Sequence, residues 1–246
     1  MDKRTVLIIG ASSDLGCAFL EHYGKEYDTI VAHYRRMNAR LESVIQQAKG
    51  RVIPVKADLL NESEVREMIR YIENENAWPD SIVHFTAPQC ENQRFNKIDW
   101  QVFSDEINIG LKSAVMVAQA FFPKMTKDHF GRMVVILSSV TCGEAPGFCA
   151  NYVVSKYALL GLVKALSAEY GPKGITINGI SPHWTNTKYI TNQPQVLVEK
   201  QVAESPMGRL LEEDEIVPTI AYLLSDEASG ISGENIEIKY GKQIRK

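Results

Sequence analysis

Seven short apolar runs, separated by stretches long enough for a helix, constrain this chain more than any other feature. The runs fall at residues 5–9, 29–33, 52–56, 81–85, 132–137, 176–180 and 235–238. Several are apolar without alternation, as strands covered on both faces are. Most of the intervening segments, 39–49, 62–75, 100–125, 150–170 and 213–224, suit crossover helices. Asn61, followed three residues later by Glu64, looks like a capping-box variant opening one of them. The alternation predicts an α/β fold with a doubly wound seven-stranded parallel sheet and helices on both faces, with ligands bound beyond the carboxyl ends of the strands. At 246 residues, 45% of them hydrophobic, the chain can bury a large core as one domain spanning 1–246.

Charge and cysteine usage narrow the function. A net charge of −3 with no basic block argues against nucleic acid or an anionic membrane as partner, which leaves a small molecule. Cys17, Cys90, Cys142 and Cys149 show no paired spacing and are expected to be reduced thiols, and no metal site is expected. The apolar run after Met1-Asp2-Lys3-Arg4 stops at Gly10, and no stretch approaches the ~18 apolar residues of a membrane span, so a cytoplasmic location is expected.

Two local patterns carry chemistry. The first run leads into Gly10-Ala11-Ser12-Ser13-Asp14-Leu15-Gly16 and then a helical pattern. Such a strand, glycine turn and helix present backbone N–H groups to a pyrophosphate, although a plain strand-to-helix turn reads the same. The second is Ser139, then Tyr152 thirteen residues on, then Lys156. Tyr152 and Lys156 stand at i and i+4, so the phenol and the ammonium share a helix face. A cation at roughly 4 Å in a medium of effective dielectric ~20 favours the phenolate by up to ~4 kcal/mol, bringing the phenol within reach of acid/base work near neutrality. By itself the pair also fits an ordinary amphipathic helix with a solvated lysine.

Taken together, these patterns resemble the short-chain dehydrogenase/reductase family, and within it the 3-oxoacyl-carrier-protein reductases. The likeness rests on the Gly10–Gly16 loop, Ala57-Asp58-Leu59, Asn108, Ser138-Ser139, Tyr152 with Lys156, Asn178-Gly179-Ile180-Ser181-Pro182 followed by Thr187, and Pro206-Met207-Gly208-Arg209-Leu210. It implies a single-domain Rossmann fold with a substrate lid near 187–206. It also implies an NADPH-dependent oxidoreductase that reduces a carbonyl to an alcohol, a 3-oxoacyl thioester being the leading substrate. The alternatives are an NAD(P)-dependent dehydrogenase of a sugar, polyol or other small alcohol, and a cofactor-binding regulatory subunit without turnover. In the catalytic set, Tyr152 is the general acid, Ser139 donates to the carbonyl oxygen, Lys156 supports the phenolate and binds the nicotinamide ribose, and Asn108 holds a relay water. The cofactor-binding set is Gly10, Ser12, Ser13, Asp14, Leu15, Gly16, Arg35, Arg36, Asp58, Leu59, Phe85, Thr86, Ala87, Tyr152, Lys156, Pro182, Thr185 and Thr187. The substrate is then a small carbonyl or alcohol, free or carrier-bound, and the assembly a homotetramer or homodimer.

Cofactor choice is read after the second run. An acidic residue there serves the ribose of NAD, whereas arginine suits the extra phosphate of NADP. The chain has His33-Tyr34-Arg35-Arg36, which favours NADP(H) over NAD(H), the alternative being two solvated arginines. Four departures from the family pattern stand out. Asp14 replaces the central glycine of the loop, to cap the helix through the N–H of Gly16 or Cys17 or else to repel phosphate. His84-Phe85-Thr86-Ala87-Pro88 replaces an Asn-Asn-Ala-Gly loop whose amides bridge strands. His183 follows Pro182 in place of glycine, to meet substrate or lie exposed, and Lys239-Tyr240-Gly241 replaces an acidic-glycine ending.

Overall fold

The computed structural model describes residues 4–86, 92–143 and 145–241. Its strands are β1 (Thr5–Ile9), β2 (Thr29–Tyr34), β3 (Arg51–Lys56), β4 (Ser81–His84), β5 (Gly131–Ile136), β6 (Ile175–Pro182) and β7 (Asn235–Ile238). They form one sheet in the order β3-β2-β1-β4-β5-β6-β7, and every pairing is parallel. The order reverses between β1 and β4, which opens a crevice at their carboxyl ends where a dinucleotide fits this class of sheet. Strand character follows position. Val6, Leu7, Ile8 and Ile9 of β1 are fully buried, whereas the edge strand β3 alternates and carries Pro54, which an edge tolerates because it lacks a donor.

The helices are α1 (Asp14–Tyr23), α2 (Ala39–Gln47), α3 (Glu62–Asn74), α4 (Trp100–Ile107), α5 (Ser113–Asp128), α6 (Ala150–Tyr170), α7 (Gln195–Glu204) and α8 (Val217–Leu224). One face of the sheet is covered by α3, α5 and α6, with Met68, Phe121, Phe122 and Leu159 in the core. The other is covered by α1, α2 and α8, with Phe19, Leu41 and Ile220. Burying a side chain such as Phe19 or Phe121 contributes about 1.5–3 kcal/mol, and both faces need such cover because the central strands are buried on both. The Rossmann-type doubly wound fold expected from the alternation is thus present.

Two local expectations change. The helix expected over residues 100–125 is interrupted by a π-helical turn, Asn108–Lys112, between α4 and α5. The cause is side-chain competition: the Ser113 hydroxyl donates to the carbonyl of Ile109 at 2.5 Å and lies 3.2 Å from that of Gly110, while His84 Nε2 sits 2.8 Å from the same hydroxyl. The capping box at Asn61 does not form either. Asn61 caps α3 through the Ser63 N–H, but its own N–H goes to the Asp58 carbonyl, so Glu64 reaches past it to the Asp58 N–H at 2.8 Å.

Candidate active site

The glycine loop leaves β1 with Gly10 at φ +88°, a left-handed conformation that glycine adopts without strain. Gly16 is required for a different reason, since a Cβ there would lie 2.6 Å from the Gly10 carbonyl oxygen. This close seating aims the N-terminus of α1 across the crevice. The cap of α1 is Ser13, whose hydroxyl donates to the Gly10 carbonyl at 2.8 Å and accepts the Gly16 N–H at 3.0 Å. Asp14, expected as the cap, does not serve as one. It is the first residue of α1, and its carboxylate turns away to accept the N–H of Lys188 at 2.7 Å. Ser13 already satisfies the donor that Asp14 would have taken. Ser12 accepts the Asn38 side chain on its carbonyl at 2.7 Å, and Leu15 packs against the α1 core.

Behind the loop lies a buried imidazole. His33 Nδ1 accepts the Gly10 N–H at 3.1 Å, so Nε2 carries the proton toward the Ala57 carbonyl, also 3.1 Å away. Burial lowers its pKa from 6.5 to about 4. A His held neutral in the fold contributes stability that is full above its unfolded value and is lost as pH falls toward the folded one. Between pH 6.5 and 4 the chain should therefore lose about 3 kcal/mol through this group. Urea unfolding of the wild type and of His33→Gln across that range checks it, and equal slopes would remove His33 from the account.

At the carboxyl end of β2 and β3, Arg35, Arg36, Lys56, Asp58 and Glu64 line a hollow of about 330 Å³. Register places Lys56 beside Tyr34, so a third cation joins the two arginines; sequence reading missed it because it belongs to another strand. Asp58 Oδ1 accepts the Leu60 N–H at 3.0 Å, and Leu59 is buried just after it. After β4, the Phe85 N–H pairs with the Ile9 carbonyl, and its ring is buried with its centroid 6.2 Å from that of Phe19, so only its backbone faces the crevice. Thr86 is buried beside His84, and Ala87 lies outside the described residues. Pro182 ends β6, Thr185 donates to the His183 carbonyl at 2.8 Å, and Thr187 opens the turn that continues to Ile190. The donors and cations along these loops fit a nicotinamide dinucleotide: backbone N–H groups at α1 for the pyrophosphate, and guanidinium groups at the far end.

The Ser-Tyr-Lys set gathers at the carboxyl end of β5. The Lys156 ammonium is buried, donates to the Ile136 carbonyl at 2.8 Å, and lies 5.7 Å from the centroid of the Tyr152 ring. Burial lowers its pKa from 10.5 to about 8, against which Glu106 acts to raise it. Ser139 begins a short 3-10 turn three residues beyond Ile136, while the Ser138 hydroxyl accepts the Val140 N–H and caps that turn. Thr141, Ser181 and Asn235 bond to one another behind that turn at 2.7–3.0 Å and fix it to β6 and β7. Asn108 heads the π-helical turn, with its amide 3.4 Å from the Ser104 hydroxyl.

Two further groups take roles that sequence reading did not assign. Glu106 is buried on α4, accepting from Asn151 at 2.5 Å and Ser155 at 3.1 Å, the residues just before Tyr152 and Lys156. Burial raises its carboxyl pKa. It thus holds α6 one residue before Tyr152 and one before Lys156. His84, where the family pattern has an amide, ties β4 to α5 instead: Ser113 gives its proton to Ile109, so the hydroxyl accepts from Nε2–H, and Nδ1 faces the Thr86 hydroxyl at 3.1 Å. Burial and then the Lys156 charge keep this imidazole neutral, with a pKa of about 3. Neither role is readable from sequence, since each acts through partners on distant helices.

Residues 187–206, where a lid is expected, contain a 3-10 turn, Ile190–Asn192, and α7, and the Tyr189 ring lies 6.1 Å from that of Tyr152, centroid to centroid. His183 lies near the charged groups Glu237 and Lys239 at the end of β7 and Glu204 at the end of α7. The Tyr240 hydroxyl bonds Glu215, and Arg209 lies over its ring at 5.0 Å, so the altered ending folds onto the loop before α8. Among the described residues, no cluster of His, Cys, Asp or Glu could hold a metal ion, Cys17 and Cys142 are free thiols, and no helix is long and apolar enough to cross a membrane.

Comparison with known proteins agrees with this geometry. Residues 10–242 match a family model described as enoyl-(acyl carrier protein) reductase. The chain is 26% identical over 244 residues to the 3-oxoacyl-[acyl-carrier-protein] reductase of Staphylococcus epidermidis, covering 97% of this chain and 98% of that one. It is 27% identical over 242 residues to an acetoacetyl-CoA reductase of Allochromatium vinosum, covering 97% and 98%. A solved 3-oxoacyl-[acyl-carrier protein] reductase from Brucella melitensis superposes with a TM-score of 0.86 at 22% identity, over 98% of this chain and 92% of that one. A sheet of this order, a glycine loop at its switch point and a Tyr-Lys helix beside it, matched along nearly the whole length, place the chain in the short-chain dehydrogenase/reductase family of nicotinamide-dependent oxidoreductases.

Proposed function

We propose that this protein reduces a carbonyl to an alcohol with NADPH, and that its substrate is a 3-oxoacyl thioester, free or carrier-bound. The observation that carries the reading is the buried Lys156 ammonium, anchored to the Ile136 carbonyl beneath the Tyr152 ring. A buried cation beside a phenol stabilises the phenolate, so Tyr152 can release its proton to a carbonyl oxygen near neutral pH. Ser139 donates a hydrogen bond to the same oxygen and stabilises its developing charge. Asn108 holds the water through which the phenol is reprotonated. When bound, NADPH supplies the hydride. Its pyrophosphate would be held by the N–H groups at the start of α1, its adenosine phosphate by Arg35, Arg36 and Lys56, and its nicotinamide ribose by Tyr152 and Lys156.

The substrate class rests on two relatives named for thioester reduction, one on carrier protein and one on coenzyme A. The lid supports it by offering an apolar side, with Tyr189 against the catalytic ring. The protein is proposed to act in the cytoplasm as one domain, and as a dimer or tetramer through α4 and α6. Those helices expose Trp100, Val154 and Tyr157, with Trp100 stacked on Phe103 at 6.0 Å.

The test is titration with NADPH and with NADH, followed by a panel of ketones that includes acetoacetyl-CoA, sugars and polyol-derived ketones, reading loss of reduced-nicotinamide absorbance. Tight NADPH binding with turnover on the thioester is expected, in a species heavier than a 27.6 kDa monomer. Turnover confined to sugar ketones would replace the substrate, and failure to bind either cofactor would remove the function.

A further inference from the structure

Asp14 has no structural task in its own helix, because Ser13 already caps α1. A carboxylate in the glycine loop would repel a pyrophosphate if it faced one, and burying it needs partners. Its side chain is only 12% exposed, and its partners come from the other end of the chain. One carboxylate oxygen accepts the backbone N–H of Lys188 at 2.7 Å, and the other lies 3.6 Å from the Lys188 ammonium. That ammonium is 74% exposed, so solvent screens it, and the backbone bond is the stronger tie.

Lys188 is itself held in a tight turn. The Ile190 N–H donates to the Thr187 carbonyl at 2.9 Å, and the Thr191 hydroxyl donates to the Lys188 carbonyl at 2.7 Å. The next residue, Tyr189, is the one whose ring meets Tyr152. Five residues on from Lys188, the Gln193 side chain accepts from the Asn92 amide at 2.7 Å, a second tie on the first part of the lid. A glycine in place of Asp14 could make neither contact to Lys188.

We propose that Asp14 is a positioning residue that latches the lid to the cofactor loop and thereby sets Tyr189 against Tyr152 as a wall of the substrate pocket. It acts on substrate through the lid rather than on the cofactor through charge. The idea deepens the carbonyl-reductase reading and rests on it only for its kinetic consequence, since the latch itself is read without turnover.

The test combines amide hydrogen exchange at Lys188 with steady-state kinetics on wild type, Asp14→Gly and Asp14→Asn. In the wild type the Lys188 amide should exchange at least ~10-fold more slowly than an unstructured amide. In Asp14→Gly it should speed up by about 10-fold, with KM for the ketone raised by about the same factor and kcat and NADPH affinity changed less than ~3-fold. Asp14→Asn keeps an acceptor oxygen and should restore both KM and protection. An unprotected Lys188 amide in the wild type overturns the latch whether or not any variant folds. So does an Asp14→Gly protein that binds NADPH ~10-fold more tightly with exchange unchanged, which is the signature of phosphate repulsion. Absence of turnover on every ketone would defeat the reductase reading while exchange still decides the latch.

Discussion

Tyr152→Phe should lower kcat by about 10²–10⁴-fold while NADPH affinity changes by less than ~10-fold, because the substitution removes the proposed proton donor and keeps the ring. The ring that meets Tyr189 at 6.1 Å remains, as does the face lying 5.7 Å from the Lys156 ammonium. On the proposed mechanism, what is lost is the group that would give its proton to the carbonyl oxygen as hydride reaches the carbon. Ser139 would still donate a hydrogen bond to that oxygen, so some rate above background should persist. Single-turnover absorbance with saturating NADPH separates the two effects. Wild-type turnover in the variant would take the general-acid role from Tyr152. The pH profile gives a second reading of the same site: Lys156 is charged below about 8 and neutral above it, so the support it gives the phenolate fades as pH rises through that value.

How much of this was legible in the sequence depended on the range of the contacts involved. The strands were legible because burial on both faces writes itself as an uninterrupted apolar run, as at Val6–Ile9. The relation of Tyr152 to Lys156 was legible because one helical turn sets it. Asp14 was misread as a cap because its true partner, Lys188, is 174 positions away, and no local rule joins a glycine loop to a lid. The Asn61 capping box failed for a nearer reason, since the Asn61 N–H was already used by the turn from Asp58. The unbroken helix over 100–125 failed because the Ser113 hydroxyl competes for the Ile109 and Gly110 carbonyls while bonded to His84 of β4, a partner 29 positions away. Glu106 was passed over entirely. A glutamate on a helix reads as solvated until the fold brings Asn151 and Ser155 against it, 45 and 49 residues on. Fold therefore came from periodicity and the reactive pair from helix geometry. The residues that hold the pair in place came only from sheet order and helix packing.

Replacing both Arg35 and Arg36 by alanine should weaken NADPH binding by about 10–100-fold and leave NADH binding within ~3-fold, which would turn a preference into near parity. Both arginines are exposed at the rim of the hollow they share with Lys56, Asp58 and Glu64. Neither is tied into the core, so their loss should not disturb β2. A phosphate on the adenosine ribose offers a planar guanidinium two acceptor oxygens at once, and each charge-assisted bond is worth roughly 1.5–3 kcal/mol where solvent is partly excluded. Exposure and salt reduce that value, so two arginines together are assigned about the worth of one well-shielded pair. Lys56 would remain as a point charge and keep the loss from being total. NADH has no phosphate there, and the Asp58 carboxylate that faces its adenosine end is untouched. Equilibrium titration of both cofactors at two salt concentrations decides the matter. A selective loss of NADPH that shrinks as salt rises assigns the arginines to the phosphate. An equal loss of both cofactors would mean that they order the loop after β2, and the NADP preference would then have to be sought elsewhere.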